Sequence, residues 1–153
     1  MAGKAIHVLP AIPLFLAGCV GYDEVSLVAV NGVELQRFDR QELVLVADVV
    51  VDNPNGYKIE LLEPDVDLYI NRTRVGKCLL DSAVVLQARS QQSYRVPLRT
   101  RFEGQISPLL IAAIGMMGSG ELALGASGTV VGKAGLFRRK IPFELEQMVR
   151  LER

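Results

Sequence analysis

Four aspartates are the residues whose type and spacing come closest to a site for chemistry. They are Asp48, Asp52, Asp65 and Asp67. Neighbouring carboxylates can hold calcium or act as general acid and base, and Asp65 and Asp67 share one face of a predicted strand. No Asp-x-Asp-x-Asp-Gly calcium loop is present, however, and a sheet needs solvated side chains in any case. We therefore predict neither a metal site nor an enzyme.

Histidine and cysteine are too scarce for most catalytic centres. The 153 residues include one histidine, His7, and two cysteines. His7 lies in a segment that we expect to be removed, which would leave no imidazole for base, nucleophilic or metal chemistry. Cys78 lies in a predicted strand, where we expect a buried, inert thiol. No GxGxxG or GxxxxGK[ST] pattern occurs, so the sequence offers no evident cradle for nucleotide phosphates.

The N-terminus predicts an export signal. Lys4 precedes 13 mostly apolar residues, Ala5–Ala17, a run too short to span a bilayer but typical of a signal peptide. The run ends in Leu16-Ala-Gly-Cys19, which resembles the lipobox of bacterial lipoproteins, where cleavage precedes the cysteine and its thiol takes a diacylglycerol. We predict a lipoprotein signal peptide at 1–18 and a tether at 19–24, lipidated at Cys19. The alternative is a buried first helix that ends in this tetrapeptide by chance.

This resemblance implies a location in the bacterial cell envelope. Each buried CH₂ of an acyl chain contributes about 0.8 kcal/mol, so two or three chains would anchor the protein stably to a membrane. An aspartate after the lipidated cysteine often retains such proteins at the inner membrane. Val20 stands there instead, so we expect the outer membrane.

Composition indicates one globular domain and argues against nucleic-acid binding. Half of the residues are hydrophobic, which excludes intrinsic disorder. Lysine plus arginine and aspartate plus glutamate each total 17, so the net charge is zero. A general nucleic-acid binder would be expected to carry a positive net charge.

Most of the remaining chain alternates apolar and polar residues with a period of two. This pattern predicts half-buried strands at Asp65–Asn71, Tyr94–Phe102 and Ile141–Val149, with Pro97 at an edge or a bulge. Leu43–Val51 is almost continuously apolar and predicts a central strand. Further predicted strands are Val25–Val30, Arg74–Leu79, Ala83–Ala88 and Glu121–Lys133, the last with Gly125, Gly128 and Gly132 at a bulge or close approach.

Turn and cap signals separate these strands. Asn31-Gly32 and Asn55-Gly56 predict turns, and Asn71-Arg-Thr73 predicts a hairpin tip. Ser107-Pro108 before an apolar run predicts one short helix, ended by Gly115 and Gly118, that covers one end of the core. Together the strands, turns and helix predict an all-β fold, an antiparallel β-sandwich with one short helix.

The segment Val49-Val-Val-Asp-Asn-Pro-Asn-Gly-Tyr57 resembles the Asn-Pro-Asn signature of the type 2 late embryogenesis abundant (LEA type 2) domain, also called the water stress and hypersensitive response domain. The later segments Asp65–Asn71 and Tyr94–Leu98 follow in the family's order. The stretch Ala126–Phe137 is similar to that of bacterial lipoproteins with this domain. We assign the domain to residues 25–149, followed by a tail at 150–153.

The resemblance implies an immunoglobulin-like or fibronectin-III-like sandwich without catalytic residues or cofactor. Family members are associated with desiccation and stress, and related domains with lipid binding or handling. For Asn53, Pro54 and Asn55 the residues themselves indicate a structural turn. Proline fixes φ, and asparagine side chains bond to nearby backbone.

Opposite charges are concentrated in the two halves of the chain. Residues 20–70 carry 11 acidic and 3 basic residues, and residues 71–153 carry 6 acidic and 13 basic ones. We expect oppositely charged strands to pair across the sheet. Alternatively, two basic groups form a contact face for anionic head groups or an acidic partner. They are Arg95, Arg99 and Arg101, and Arg138, Arg139 and Lys140.

These observations favour a non-enzymatic, membrane-anchored envelope lipoprotein. Its domain would bind apolar or lipid-like ligands, or protect the membrane under stress. An apolar cavity between the sheets would support this function. The alternative is an interaction module that docks onto a larger envelope complex through an open sheet edge or the basic stripe on Arg95, Arg99 and Arg101. A carboxylate hydrolase is the remaining, remote hypothesis.

Overall fold

A computed structural model describes residues 21–105, 107–108, 111–112 and 121–152, with side chains up to residue 148. Nearly all of these residues lie in eight β-strands, so the all-β prediction is confirmed. The strands are β1 (Ser26–Phe38), β2 (Glu42–Asn53), β3 (Ile59–Ile70), β4 (Thr73–Leu80), β5 (Val84–Leu86), β6 (Ser90–Arg101), β7 (Glu121–Ala134) and β8 (Phe137–Glu152).

The strands form one sheet that curls until it closes on itself. Their order is β4-β6-β2-β1-β8-β7-β3-β5, and β4 pairs with β3 as well as with β6. The pairs are antiparallel except for β1 and β8, which run parallel and pair at Val33–Leu151 and Glu34–Glu152. The halves of the sheet face each other across the core, as in a sandwich. Likeness to immunoglobulin or fibronectin domains stays a prediction.

The core is built from the inward faces of the alternating strands. Leu43 and Leu45 of β2 are buried, as are Leu68 and Ile70 of β3. Each fully buried side chain of this kind stabilises the fold by about 1.5–3 kcal/mol. The prediction that Leu43–Val51 forms a central strand is confirmed, because β2 pairs with β1 on one edge and β6 on the other. A smaller cluster at one end contains Val51, Ile59, Val84 and Leu86.

The turn predicted at Asn31-Gly32 is wrong. β1 continues through both residues to Phe38, and its pairing with β2 shifts register between Val30 and Gly32. The shift marks a bulge, in which one extra residue is accommodated without ending the strand. A local turn preference is overridden here because β2 supplies pairing partners on both sides of the bulge.

The hairpin predicted at Asn71–Thr73 is confirmed. Asn71 and Arg72 connect β3 to β4, with φ angles of 47° and 65°. Positive φ at both central residues is the geometry of a type I′ turn, whose twist matches that of the flanking strands. Asparagine tolerates this conformation well, whereas arginine does so at a cost.

Two of the glycines predicted at close approaches do lie at them. A Cβ on Gly128, whose φ is +151°, would collide with the backbone oxygen of Asp65. A Cβ on Gly132 would lie 2.7 Å from Cδ1 of Ile141. The edge prediction for Pro97 is also confirmed. The β4–β6 ladder ends at Leu98, so Pro97 lies one residue beyond it. No β4 residue pairs with β6 at that position, and proline, which has no N–H to donate, is tolerated there.

The short helix is described only at its start. Pro108, Ile111 and Ala112 are helical, and the Ile111 N–H donates to the Ser107 carbonyl at 3.1 Å. The predicted end at Gly115 and Gly118 lies outside the described residues, as do the signal peptide and Cys19. Within the described ranges, no helix has the length and apolarity needed to cross a membrane.

Candidate functional site

The Asn-Pro-Asn motif forms a buried hydrogen-bond network where β2 ends. The side chains of Asn53 and Asn55 are almost fully buried. Asn53 donates from Nδ2 to the carbonyls of Tyr57, at 3.0 Å, and Gln87, at 2.9 Å. Its Oδ1 accepts from the Asn55 backbone N–H and from Asn55 Nδ2. The network therefore satisfies polar groups that would each be costly to bury unpaired.

Asn55 also ties two further segments to this turn. Its side chain accepts from the Asp23 N–H at 2.8 Å and donates to the Asp23 carbonyl at 2.7 Å. Its own carbonyl accepts from the Arg89 N–H at 2.9 Å. The segment predicted as a tether is thus held against the domain at Asp23. Pro54 is exposed between the two asparagines.

Two of the three arginines on β6 are engaged in ion pairs. Arg95 bonds to Glu34 at 2.9 Å. Arg99 lies 3.0 Å from Asp81 and 3.7 Å from Glu42, and hydrogen bonding to Asp81 raises its pKa. Arg101 is exposed and has no ion pair within the described part of the chain. The pairing of oppositely charged strands therefore accounts for most of this stripe.

The second basic group lies at the start of β8. Arg138 pairs with Glu63 at 3.2 Å. The Arg139 guanidinium lies 4.3 Å from the centre of the Tyr22 ring, a cation–π contact. Lys140 is exposed and has no ion pair among the described residues. Since β2 and β1 separate β6 from β8, the two predicted basic groups do not form one face.

Two exposed hydrophobic residues accompany this second group, and neither is among the site residues predicted from the sequence. Leu136 is 99% exposed and Phe137 is 75% exposed. Both lie at the turn between β7 and β8, where Ala134 pairs with Phe137. The signal in the sequence was an apolar pair between a glycine and three cations, at a point where two strand patterns meet.

A surface groove of about 780 Å³ lies beside this turn. Side chains of Tyr22, Tyr57, Ile59, Phe137 and Ile141 supply much of its apolar wall, and Lys58, Arg138 and Arg139 supply cations. None of the described lining residues carries a carboxylate, although Glu63 pairs with Arg138 nearby. Such a site suits a ligand with an apolar body and an anionic group. It opens on the surface, whereas the feature expected to support lipid binding is an apolar cavity between the sheets.

Two of the four candidate carboxylates, Asp65 and Asp67, are paired with cations. Lys77 bonds to Asp65 and lies 3.6 Å from Asp67, which Arg74 contacts at 2.8 Å. Hydrogen bonding to Lys77 lowers the pKa of Asp65. Asp48 accepts from the Ser93 hydroxyl at 2.7 Å. No group of three or more histidine, cysteine, aspartate or glutamate side chains suited to a metal occurs in the described ranges. The absence of metal and of enzymatic activity stays a prediction.

Cys78 is buried in the core, 3.5 Å from the Thr100 hydroxyl. Burial raises the pKa of its thiol, because the thiolate would lose its hydration. A protonated thiol without solvent access is a poor nucleophile.

The fold and the motif define an all-β domain in which a buried Asn-Pro-Asn turn joins the end of β2 to its neighbours. Residues 48–147 match the family model LEA_2, described as late embryogenesis abundant protein. The chain belongs to this family, and is a stress-related protein of the late embryogenesis abundant type. No curated protein matches it in sequence.

Two solved structures resemble the fold. A crystal structure of a protein from Archaeoglobus fulgidus matches with a TM-score of 0.51 and 15% identity, covering 83% of this chain and 98% of that one. A solution structure of a protein from Arabidopsis thaliana matches with a TM-score of 0.53 and 16% identity, covering 90% and 89%. At these identities the likeness concerns the fold alone.

Proposed function

We propose that this chain is a non-enzymatic envelope lipoprotein of the outer membrane. It is anchored through acyl chains on Cys19 and binds an anionic, lipid-like ligand in the groove. One observation carries the ligand proposal. The groove combines aromatic and aliphatic walls with Lys58, Arg138 and Arg139, and no described lining residue is acidic. Membrane lipids and their breakdown products supply amphiphiles of this chemistry, and stress on a membrane releases them.

The alternative function, docking onto an envelope complex through the β6 arginines, has less support. Arg95 and Arg99 already contact carboxylates of their own chain, which leaves Arg101 as the member without an ion pair among the described residues. A partner would have to compete with these internal ion pairs.

The anchor is tested by the intact mass of the native protein extracted from membranes, beside a Cys19→Ala variant. We expect a chain that starts at Cys19 and carries acyl chains, and a Cys19→Ala protein that carries none. A full-length, unacylated chain from Met1 would contradict the anchor. That outcome would leave the proposal of ligand binding in the groove untouched, because the groove is formed by residues other than Cys19.

Ligand binding is tested with oleate, an anionic amphiphile, in competition with a fluorescent fatty-acid analogue. Oleyl alcohol has the same chain without the charge. We expect oleate to displace the analogue at least tenfold more effectively than the alcohol, and Lys58→Glu to weaken oleate binding several-fold. Arg95→Glu is the matched control, because it reverses an exposed arginine that lies outside the groove. Equal effects of the two variants, or equal displacement by the two competitors, would contradict the proposal.

A further inference from the structure

The turn between β7 and β8 presents apolar side chains directly to solvent. We define residues 135–140 as the hairpin tip. Gly135 has a φ of +59° and forms the turn with Leu136, which is 99% exposed. Phe137 is 75% exposed, although it pairs with Ala134 in the ladder. Adjacent apolar side chains with this exposure are unfavourable in water and mark a contact surface.

The three residues behind the apolar pair are all cationic. Arg138, Arg139 and Lys140 follow Phe137 without interruption. The Arg138 side chain remains 54% exposed despite its pair with Glu63, and Lys140 is exposed with no ion pair in the described part of the chain. Apolar residues at the end and cations just behind them match the layering of an anionic membrane surface. Its acyl boundary lies a few ångströms below its phosphates.

The hairpin that carries this tip is paired continuously along both strands. β7 and β8 pair without a register shift from Ala134–Phe137 to Glu121–Arg150. β3 supports β7 as far as Lys133, one residue before the end of the strand. The tip is therefore held in place before it meets a partner, which limits the ordering cost of binding.

The N-terminal segment reaches the domain at the same end. Tyr22 packs under Arg139, and Asp23 is bound by Asn55. Cys19 is only two residues before the first described residue, a span of at most about 7 Å. If the proposed lipidation holds, acyl chains and tip would meet the same membrane. This step rests on the proposed function, whereas the tip itself does not.

We propose that the hairpin tip docks on an anionic membrane surface. Leu136 and Phe137 enter the interfacial layer, and Arg138, Arg139 and Lys140 contact phosphate head groups. Docking fixes the orientation of the domain and places the groove at the membrane surface, because Gly135, Phe137, Arg138 and Arg139 belong to both the groove and the tip. A membrane-derived amphiphile could then enter the groove without crossing water.

The chain offers a clean spectroscopic test because it contains no tryptophan. Phe137→Trp places a single indole at the tip. Met148→Trp is the matched control, because Met148 is also exposed on β8 but lies roughly 35 Å along the strand at 3.3 Å per residue. Both variants are made in the full chain with Cys19→Ala, so that acylation plays no part. Vesicles of phosphatidylcholine, with and without phosphatidylglycerol, are then added.

We expect the Phe137→Trp emission to shift to shorter wavelength with phosphatidylglycerol vesicles, and the Met148→Trp emission to stay unchanged. Adding Arg138→Glu and Lys140→Glu to the tip variant should abolish the shift, while Arg139 keeps its contact with Tyr22. Leu136→Ser should reduce the bound fraction several-fold and leave oleate binding in the groove unchanged, because Leu136 does not line it.

Several results would overturn the proposal. They are an unchanged Phe137→Trp spectrum, an equal shift of Met148→Trp, or an equal shift with vesicles that lack phosphatidylglycerol. A shift that follows protein concentration without vesicles would instead identify a second copy of the chain as the occupant. Each of these outcomes is independent of the mass measurement that decides lipidation.

Discussion

Asn53 and Asn55 have buried side chains that form hydrogen bonds with three different segments. A buried amide is favourable only when most of its donors and acceptors are paired, and here the pairs lie within the motif and on Asp23, Tyr57 and Gln87. The motif therefore acts as a junction as well as a turn. The turn follows from local residue preferences, whereas Asp23 and Gln87 are more than thirty residues distant and no local pattern identifies them.

Replacing Asn53 with alanine should lower the free energy of unfolding by about 2–4 kcal/mol. The change removes four hydrogen bonds and leaves the Asn55 amide and two carbonyls without these partners in a buried site. Urea unfolding measures the effect. Asn31→Ala is the control. Because Asn31 is exposed, its replacement should lower the free energy of unfolding by at most about 0.5 kcal/mol. Equal urea midpoints of unfolding for the two variants would show that the hydrogen bonds of Asn53 do not stabilise the fold.

The β3–β4 hairpin combines an unfavourable turn residue with a favourable charge pair. Arg72 has a positive φ, which glycine adopts freely and arginine does not. Lys77 lies opposite Asp67 in the strand register and forms an ion pair with Asp65. Alternation and the Asn71 signal were enough to predict this hairpin, since both act over a few residues. The bulge at Gly32 was not predictable in this way, because its cause is the partner strand β2.

Arg72→Gly should raise the free energy of unfolding by about 0.5–1 kcal/mol, since the strain of a positive φ exceeds the added entropy of the unfolded chain. The lost Arg72–Glu146 pair matters little, because both side chains are well exposed. Thermal or urea unfolding checks the sign. Thr73→Gly, one residue on, should destabilise the protein instead, because Thr73 lies in β4 and has no positive φ. A loss of stability in Arg72→Gly would contradict the strain argument.

The Asp65–Lys77 pair should make the fold sensitive to acid. Hydrogen bonding to Lys77 lowers the pKa of Asp65 in the folded state, so the stabilisation is complete above the ordinary carboxyl pKa and is lost as pH falls through the folded value. Carbon-detected NMR titration of the Asp65 carboxyl should therefore show a higher pKa in Lys77→Ala than in the native chain. Asp65→Asn should flatten the acid side of the stability profile. Identical titrations in both proteins would show that the pair does not lower the pKa of Asp65.

At the scale of the whole molecule, closure of the sheet depends on contacts between distant residues. β1 meets β8 in parallel near the end of the chain, and Gln147 donates to the Val30 carbonyl across 117 residues. Strand periodicity predicted the inward face of β3 because alternation of side chains is a local consequence of the pleat. This periodicity contained no information on the β1–β8 pairs that close the sheet. It also contained none on the groove, which is lined by residues from three separate parts of the chain.

Cys78 should report the opening of the whole sheet. It lies in the main core, and burial raises the pKa of its thiol. In the Cys19→Ala chain it is the sole thiol. We expect alkylation by iodoacetamide to be at least ~10³-fold slower than in the urea-unfolded chain, because reaction requires opening of a fold with ordinary stability. Rapid alkylation in native buffer would place Cys78 at a site that opens locally.

The two bonds between Asp23 and Asn55 also have a mechanical consequence. A protein anchored at its N-terminus bears any force from the membrane at that end. Under such a force, an unsupported first strand would lose its hydrogen-bonded residue pairs one after another. If the chain is anchored at Cys19 as proposed, the load would enter at Asp23 and pass to Asn55. It would then reach β2 and the segment after β5 through Asn53 and Gln87. Tension on the proposed anchor would be shared among several parts of the sheet at once, so the motif that shapes a turn would also hold the tether to the domain.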